Sequence, residues 1–323
     1  MLAAVFRSFG GPEVLEVAEV ETPSPARGQV RVRVKAAGAQ AYDCAVRGGW
    51  NPPGMTVRFP QIVGNDFAGV VDEVGEGVTE FSVGDEVLGW ALLSCYAQYL
   101  VVSVDQVVPK PANMPWEVAG GFSASAQTAH TALKELGVGS GDTVLVHAAA
   151  GGVGTVAVQL AREWGATAIG TASLRNHDYL RSLGAIPVEY GERLADRVRE
   201  LAPGGVTAAL DGIGGEALDV SVELVKDRNR IGTLVDFERA GELGARALFS
   251  QRSAARLREL TDLYAQGRLH IEVSRTFPLE AAASRSPFGP DRPHPTAFLE
   301  RIHARPAYRR ALERGGPYAY ATQ

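Results

Sequence analysis

The stretch Ala148-Ala149-Ala150-Gly151-Gly152-Val153-Gly154 is the part of this chain best suited to chemistry. Small residues let a backbone come close to a bulky anion, with its N–H groups aimed at the charge. Before it, Thr143-Val144-Leu145-Val146 reads as a buried strand; after it, Thr155-Val156-Ala157-Val158-Gln159-Leu160-Ala161 continues at helical spacing. Strand, glycine turn and helix in that order place a pyrophosphate on the N–H groups of a helix N-terminus, so the sequence predicts a dinucleotide site. Ala149 stands where the first glycine of the usual fingerprint would be. Gly151 lets the backbone approach the phosphates, and Gly154 lets the helix pack against the strand. Ala149, Gly151, Gly152, Val153 and Gly154 are the predicted pyrophosphate cradle.

A second strand is expected over residues 166–172, and its exit reads Gly170-Thr171-Ala172-Ser173-Leu174-Arg175-Asn176. A carboxylate there would hydrogen-bond a ribose diol and repel a 2′-phosphate. None is present, while Ser173 offers a donor and Arg175 a charged planar fork. The expected cofactor is therefore NADPH rather than NADH.

Other reactive side chains are weaker signals. Tyr42 is either a proton donor or part of a core, and the sequence leaves both readings open. Trp50 and Tyr96 offer flat stacking surfaces, although packing is the simpler reading of each. Neither Cys44 nor Cys95 has a basic neighbour in sequence to activate it. The six histidines show no ligand spacing, and His147, on the core strand, reads as packed and hydrogen-bonded rather than catalytic.

The elements that must position these residues follow from pattern. Val30, Val32 and Val34 alternate with Arg31, Arg33 and Lys35, a strand with one wet face. Residues 1–7 and 96–102 read as further strands, and glycine turns between short strands suggest a partly closed β-domain. From about Val118, helix and strand alternate, with strands expected at 206–210 and 230–235 and a short helix at 176–183. This predicts a doubly wound parallel sheet. Leu257, Leu260, Leu263 and Tyr264 share one helix face, and 270–273 reads as a return to strand.

At 323 residues, 46% hydrophobic and with a net charge of −5, the chain is large enough for two cores and has no polybasic footprint. Two cysteines exclude a disulfide scaffold and a four-cysteine zinc site. No apolar run reaches membrane-spanning length. The expectation is a soluble cytoplasmic protein with no nucleic-acid or membrane partner.

Several motifs together resemble the zinc-free quinone oxidoreductase branch of the medium-chain dehydrogenase/reductase superfamily. They are Gly10-Gly11-Pro12-Glu13-Val14-Leu15, Ala37-Gly38 with Asp43 and Arg47, Gly64-x-Asp66-x-Ala68-Gly69-Val70-Val71, Val83-Gly84-Asp85-Glu86-Val87, the 148–154 turn, and Asp211-x-x-Gly214-Gly215. The resemblance spans residues 1–283. It implies an α/β fold in which a Rossmann doubly wound parallel sheet is inserted in a partly closed GroES-like β catalytic domain. The implied domains are 1–117 with 251–284 (catalytic) and 118–250 (NADP-binding). It also implies that Tyr190 joins Ser173 and Arg175 at the adenosine phosphate, that Thr128 lies near the nicotinamide, and that the protein is a homodimer.

Zinc-dependent relatives carry a cysteine where this chain has Gln40, and a His-Glu pair where it has Asn65-Asp66. Amides are poor zinc ligands beside thiolate and imidazole, so no metal site is expected. The resemblance places Gln40 where an asparagine commonly sits beside the nicotinamide. Gln40 and Tyr42 are thus the candidate catalytic residues. The implied activity is hydride transfer from NADPH to quinones or α,β-unsaturated carbonyls; the alternative is an NADPH-binding protein with little or no turnover. A zinc alcohol dehydrogenase would require bound metal. Residues 285–323 depart from the family. Four prolines between Arg285 and Pro295 suggest a linker, and the helical segment after it resembles the end of a bacterial glutathione transferase.

Overall fold

The computed structural model describes residues 1–52 and 54–279; the expected linker and transferase-like tail at 285–323 lie outside them. The described residues form two units. One comprises Met1–Lys110, Pro115–Gly121 and the described residues from Val273 onward; the other comprises Pro111–Met114 and Phe122–Glu272.

In the first unit the strands are β1 (Leu2–Phe6), β2 (Leu15–Glu19), β3 (Gln29–Ala37), β4 (Gln61–Ile62), β5 (Asp66–Val74), β6 (Glu86–Trp90), β7 (Tyr99–Ser103) and β8 (Val107–Pro109). Helix α1 spans Ala41–Arg47 and α2 spans Trp116–Gly120. Five strands form an antiparallel sheet in the order β7-β3-β5-β6-β8, and β2-β1-β4 form a smaller one. The valine alternation in β3 works as expected. Val30 and Val32 are fully buried and pack with Phe67, Val71, Leu100 and Val102, while Arg31 turns outward to pair with Asp72 at 2.9 Å. Two register shifts between β3 and β5 bend the sheet, as bulges do. The strand expected from residue 96 starts only at Tyr99. The preceding residues bond to β1 instead, through Ala4 N–H to Tyr96 O and Gln98 N–H to Leu2 O.

The second unit contains α3 (Phe122–Glu135), β9 (Thr143–Val146), α4 (Gly152–Glu163), β10 (Thr167–Thr171), α5 (His177–Ser182), β11 (Ile186–Val188) and α6 (Leu194–Leu201). It continues with β12 (Ala208–Asp211), α7 (Glu216–Leu224), β13 (Ile231–Thr233), α8 (Phe237–Leu243), β14 (Arg246–Ala247) and α9 (Ala254–Ala265). Its sheet is parallel throughout, in the order β11-β10-β9-β12-β13-β14. The order reverses at β9, as in dinucleotide folds. Val144, Leu145 and Val146 are fully buried, as a central parallel strand covered on both faces requires.

Two expectations need correction. Residues 251–272 pack with the second unit rather than the first. Helix α9 lies on α3, with Tyr264 edge-on to Phe122 at 5.9 Å and Ser253 N–H donating to Gln127 Oε1 at 2.8 Å. Residues 270–273 form no strand. The Gln159 side chain takes both His270 N–H and His270 O, at 2.7 and 2.9 Å, in place of a ladder partner. No helix among the described residues is long and apolar enough to cross a membrane.

Candidate functional site

The glycine turn leaves β9 and is shaped from its first residue. Ala148 has φ 55°, in the left-handed region that non-glycine residues rarely enter. Its N–H donates to Thr171 Oγ1 at 3.2 Å, and the next N–H, of Ala149, donates to Thr171 O at 3.0 Å. Ala148 O then accepts Gly151 N–H at 2.9 Å. Gly151 is the N-cap of α4, no side chain caps it, and no acidic residue stands in the first turn. The N–H groups of Gly152, Val153 and Gly154 are therefore left to an outside acceptor, at the positive end of a twelve-residue helix. Gly151 and Gly152 are exposed. A Cβ on Gly154 would stand 2.3 Å from Ala148 O, so this glycine is required for the helix to reach the strand. Ala149 differs from the other expected cradle residues. It is fully buried with its N–H already engaged, so it shapes the turn and offers no donor.

The 2′-phosphate candidates come together at the same sheet edge. Thr171 pairs with Val188, so β10 and β11 end side by side at their carboxyl ends. Ser173 and the exposed Arg175 follow β10, and Tyr190, 48% exposed, follows β11. Ser173 Oγ accepts from Asn176 Nδ2 at 3.3 Å. The first carboxylate beyond β10, Asp178, is paired with Arg181 at 2.6 Å. Thr128 lies on α3, partly buried, three residues after Ser125. A Cβ on Gly152 would stand 2.7 Å from Ser125 Oγ, which puts α3 directly against the turn. Sequence reading missed Ser125 because nothing local distinguishes it from other small helical residues.

In the first unit, Gln40 is the N-cap of α1, and its N–H donates to Asp43 Oδ2 at 2.9 Å. Asp43 is the hub of this region. Its Oδ1 accepts Gly64 N–H at 3.2 Å, and its Oδ2 lies 3.2 Å from the Tyr96 hydroxyl, which also reaches Gly38 O at 3.3 Å. Burial pushes the Asp43 carboxyl up to about 7, against the hydrogen bond from Gln40, and the nearby Asp66 carboxylate pushes it the same way. Burial likewise raises the Tyr96 phenol. The Tyr42 ring meets Trp50 edge-on at 5.4 Å and packs against the cluster of Phe6, Leu15, Val46 and Val63, which gives it a core role whatever else it does.

Burial raises Cys44 to about 11 despite Arg47 nearby, and Cys95 donates to Ala91 O at 3.1 Å. Asn65 and Asp66 are buried, and among the described residues no three His, Cys, Asp or Glu side chains are grouped to hold a metal ion. Gln40 and Asn65 present amides, which are poor zinc ligands beside thiolate and imidazole.

The alcohol dehydrogenase GroES-like domain matches residues 26–112, and the zinc-binding dehydrogenase family matches residues 152–235. A 2-haloacrylate reductase from Burkholderia sp is 35% identical over 312 residues, covering 88% of this chain and 94% of the relative. The chain belongs to the medium-chain dehydrogenase/reductase superfamily. Within the superfamily its relatives include a quinone oxidoreductase of Pseudomonas aeruginosa, 32% identical and covering 86% of this chain and 92% of the relative. The Escherichia coli quinone oxidoreductase complexed with NADPH superposes with a TM-score of 0.77 at 26% identity, covering 88% and 94% of the two chains. The fold is thus the superfamily's, a GroES-like β domain carrying an inserted Rossmann domain. The protein is an oxidoreductase of the superfamily that uses a nicotinamide cofactor and acts on a small molecule.

Proposed function

We propose that this chain is an NADPH-dependent, zinc-independent reductase of quinones or α,β-unsaturated carbonyls. The observation that carries the reading is the carboxyl edge of the parallel sheet. An uncapped glycine turn stands there beside the exit of β10, which carries Ser173 and Arg175 and no carboxylate before Asp178, with Tyr190 following the neighbouring strand β11. The N–H groups of Gly152, Val153 and Gly154 hold the pyrophosphate. Ser173, Arg175 and Tyr190 hold the 2′-phosphate, and Thr128 lies toward the nicotinamide. NADPH, when bound, supplies a hydride. The residues around it bind and orient, because a conjugated carbonyl draws the incoming electron pair onto its own oxygen and needs only a donor there. The Gln40 amide and the Tyr42 phenol are the donors assigned to that oxygen. The amide side chains of Gln40 and Asn65, poor zinc ligands, and the names of two relatives, a quinone oxidoreductase and a 2-haloacrylate reductase, support the reading. It extends to a cytoplasmic homodimer, as family likeness implies.

The test follows NADPH oxidation by the purified protein with a para-quinone and with a simple enone, with NADH in parallel. Saturable turnover preferring NADPH is expected. Arg175→Ala should raise the Kd for NADPH about tenfold, the worth of a charge-assisted hydrogen bond, and leave NADH binding unchanged. Equal use of NADH, or an Arg175→Ala variant with unaltered preference, would refute the NADPH assignment. NADPH binding with no turnover on either acceptor class would instead identify a binding protein.

A further inference from the structure

Two hydroxyls lie beside the His147 ring among the described residues, those of Ser221 and Thr171. Ser221 Oγ–H donates to Ala217 O at 2.9 Å, so the oxygen is left to accept from His147 Nε2–H at 3.0 Å. That assignment fixes the tautomer and leaves Nδ1 as an acceptor. Among the described residues the hydroxyl facing Nδ1 is Thr171 Oγ1, at 3.5 Å, the longest link of the series. Thr171 Oγ1 in turn accepts Ala148 N–H, and the carbonyl of the same residue accepts Ala149 N–H. His147, Thr171 and Ser221 are all buried, on or next to β9, β10 and α7.

We propose that Ser221, His147 and Thr171 form a buried relay that positions the phosphate-binding turn. The proposal rests on the cofactor reading above. None of the three touches the phosphates; each acts through the next, ending at Ala148. The two N–H groups drawn inward to Thr171 are the ones that hold Ala148 in the left-handed region. With Ala148 so held, its carbonyl closes the turn on Gly151, and the following N–H groups face outward. Burial lowers the His147 imidazole to about 4, which keeps the ring neutral and Nδ1 free to accept. A protonated ring would donate from Nδ1 as well and reverse the direction of the link to Thr171. A residue held merely by packing needs neither a fixed tautomer nor two anchored N–H groups in succession.

The test compares Thr171→Val, which keeps the shape and removes the hydroxyl, with Thr171→Ser, which keeps the hydroxyl. Dissociation constants for NADPH and for NADH are measured by fluorescence titration, well below the melting temperature of the least stable variant. Thr171→Val should raise both constants by the same factor, about tenfold, the worth of one hydrogen bond, because the turn serves the pyrophosphate common to both. Thr171→Ser should stay within about threefold of wild type. Should Thr171→Val fail to fold, Ser221→Ala reads the far end of the relay, with the same direction expected. A Thr171→Val protein that binds as wild type does, or a Thr171→Ser protein as weak as Thr171→Val, would overturn the relay. Wild-type protein that binds neither NADPH nor NADH would overturn the cofactor reading, and the purpose of the relay with it.

Discussion

Gly154→Ala should lower the melting temperature by about 5 °C or more and weaken NADPH binding about a hundredfold. The reason is geometric. The added Cβ would lie 2.3 Å from Ala148 O and 2.6 Å from Ala149 Cα, both backbone atoms. Neither can yield cheaply, since Ala149 N–H is anchored on Thr171 O and Ala148 O holds Gly151 N–H. Helix α4 has to retreat from β9 instead. Overpacking of this kind costs about 1–3 kcal/mol in stability. The retreat also carries the N–H groups of Gly152, Val153 and Gly154 away from any pyrophosphate, which accounts for the larger effect on binding. Gly204→Ala is the matched control, because a Cβ there meets nothing within 4 Å. Thermal melts and NADPH titrations of the two variants decide the matter. Gly154→Ala behaving as Gly204→Ala does would show that the helix has room to spare.

How much of this was legible in the sequence depends on how local each signal is. The strand at 143–146, the glycine turn and the helix after it lie within about twenty residues, and their periodicities are unmixed. The exit of β10 is an equally local signal, since Ser173, Arg175 and the lack of a carboxylate are read from seven consecutive residues; the 2′-phosphate role drawn from it is the proposal that Arg175→Ala tests. The strand expected at 270–273 failed for a nonlocal reason. Its apolar alternation is real, but a glutamine 111 residues away occupies the backbone of His270. The start of β7 shifted for a similar reason, since Tyr96 and Gln98 are bonded to β1. Asp43 was visible as a family-like residue, but its partners Gly64 and Tyr96 lie 21 and 53 residues away, and no spacing rule joins them. His147 could be read as packed. The hydroxyls that give its packing a direction come from β10 and α7, which only the tertiary fold brings together.

Asp43 should make the protein less stable as pH rises from about 4 to about 7. A buried acid whose carboxyl titrates near 7 in the fold, but near 3.8 when unfolded, stays protonated over that interval while the unfolded chain ionises. Its contribution is fully present below the unfolded value, is lost as pH rises through 7, and is constant beyond. A separation of about three pH units corresponds to about 4 kcal/mol. Other groups titrate in the same range, so the measurement is the difference between wild type and Asp43→Asn, which cannot ionise. The amide can keep most of the hub. Its Oδ1 accepts Gly64 N–H and its Nδ2 donates to the Tyr96 oxygen, while the Tyr96 hydroxyl turns to Gly38 O, already 3.3 Å away. Only Gln40 N–H loses its acceptor, at a helix N-cap where that loss costs about 1 kcal/mol. Asp43→Asn should therefore be the less stable protein at pH 4.5 and the more stable one at pH 8. Denaturant unfolding across that range tests the crossover. Parallel stability curves would mean that Asp43 is ionised in the fold, held by its three donors more strongly than burial opposes it.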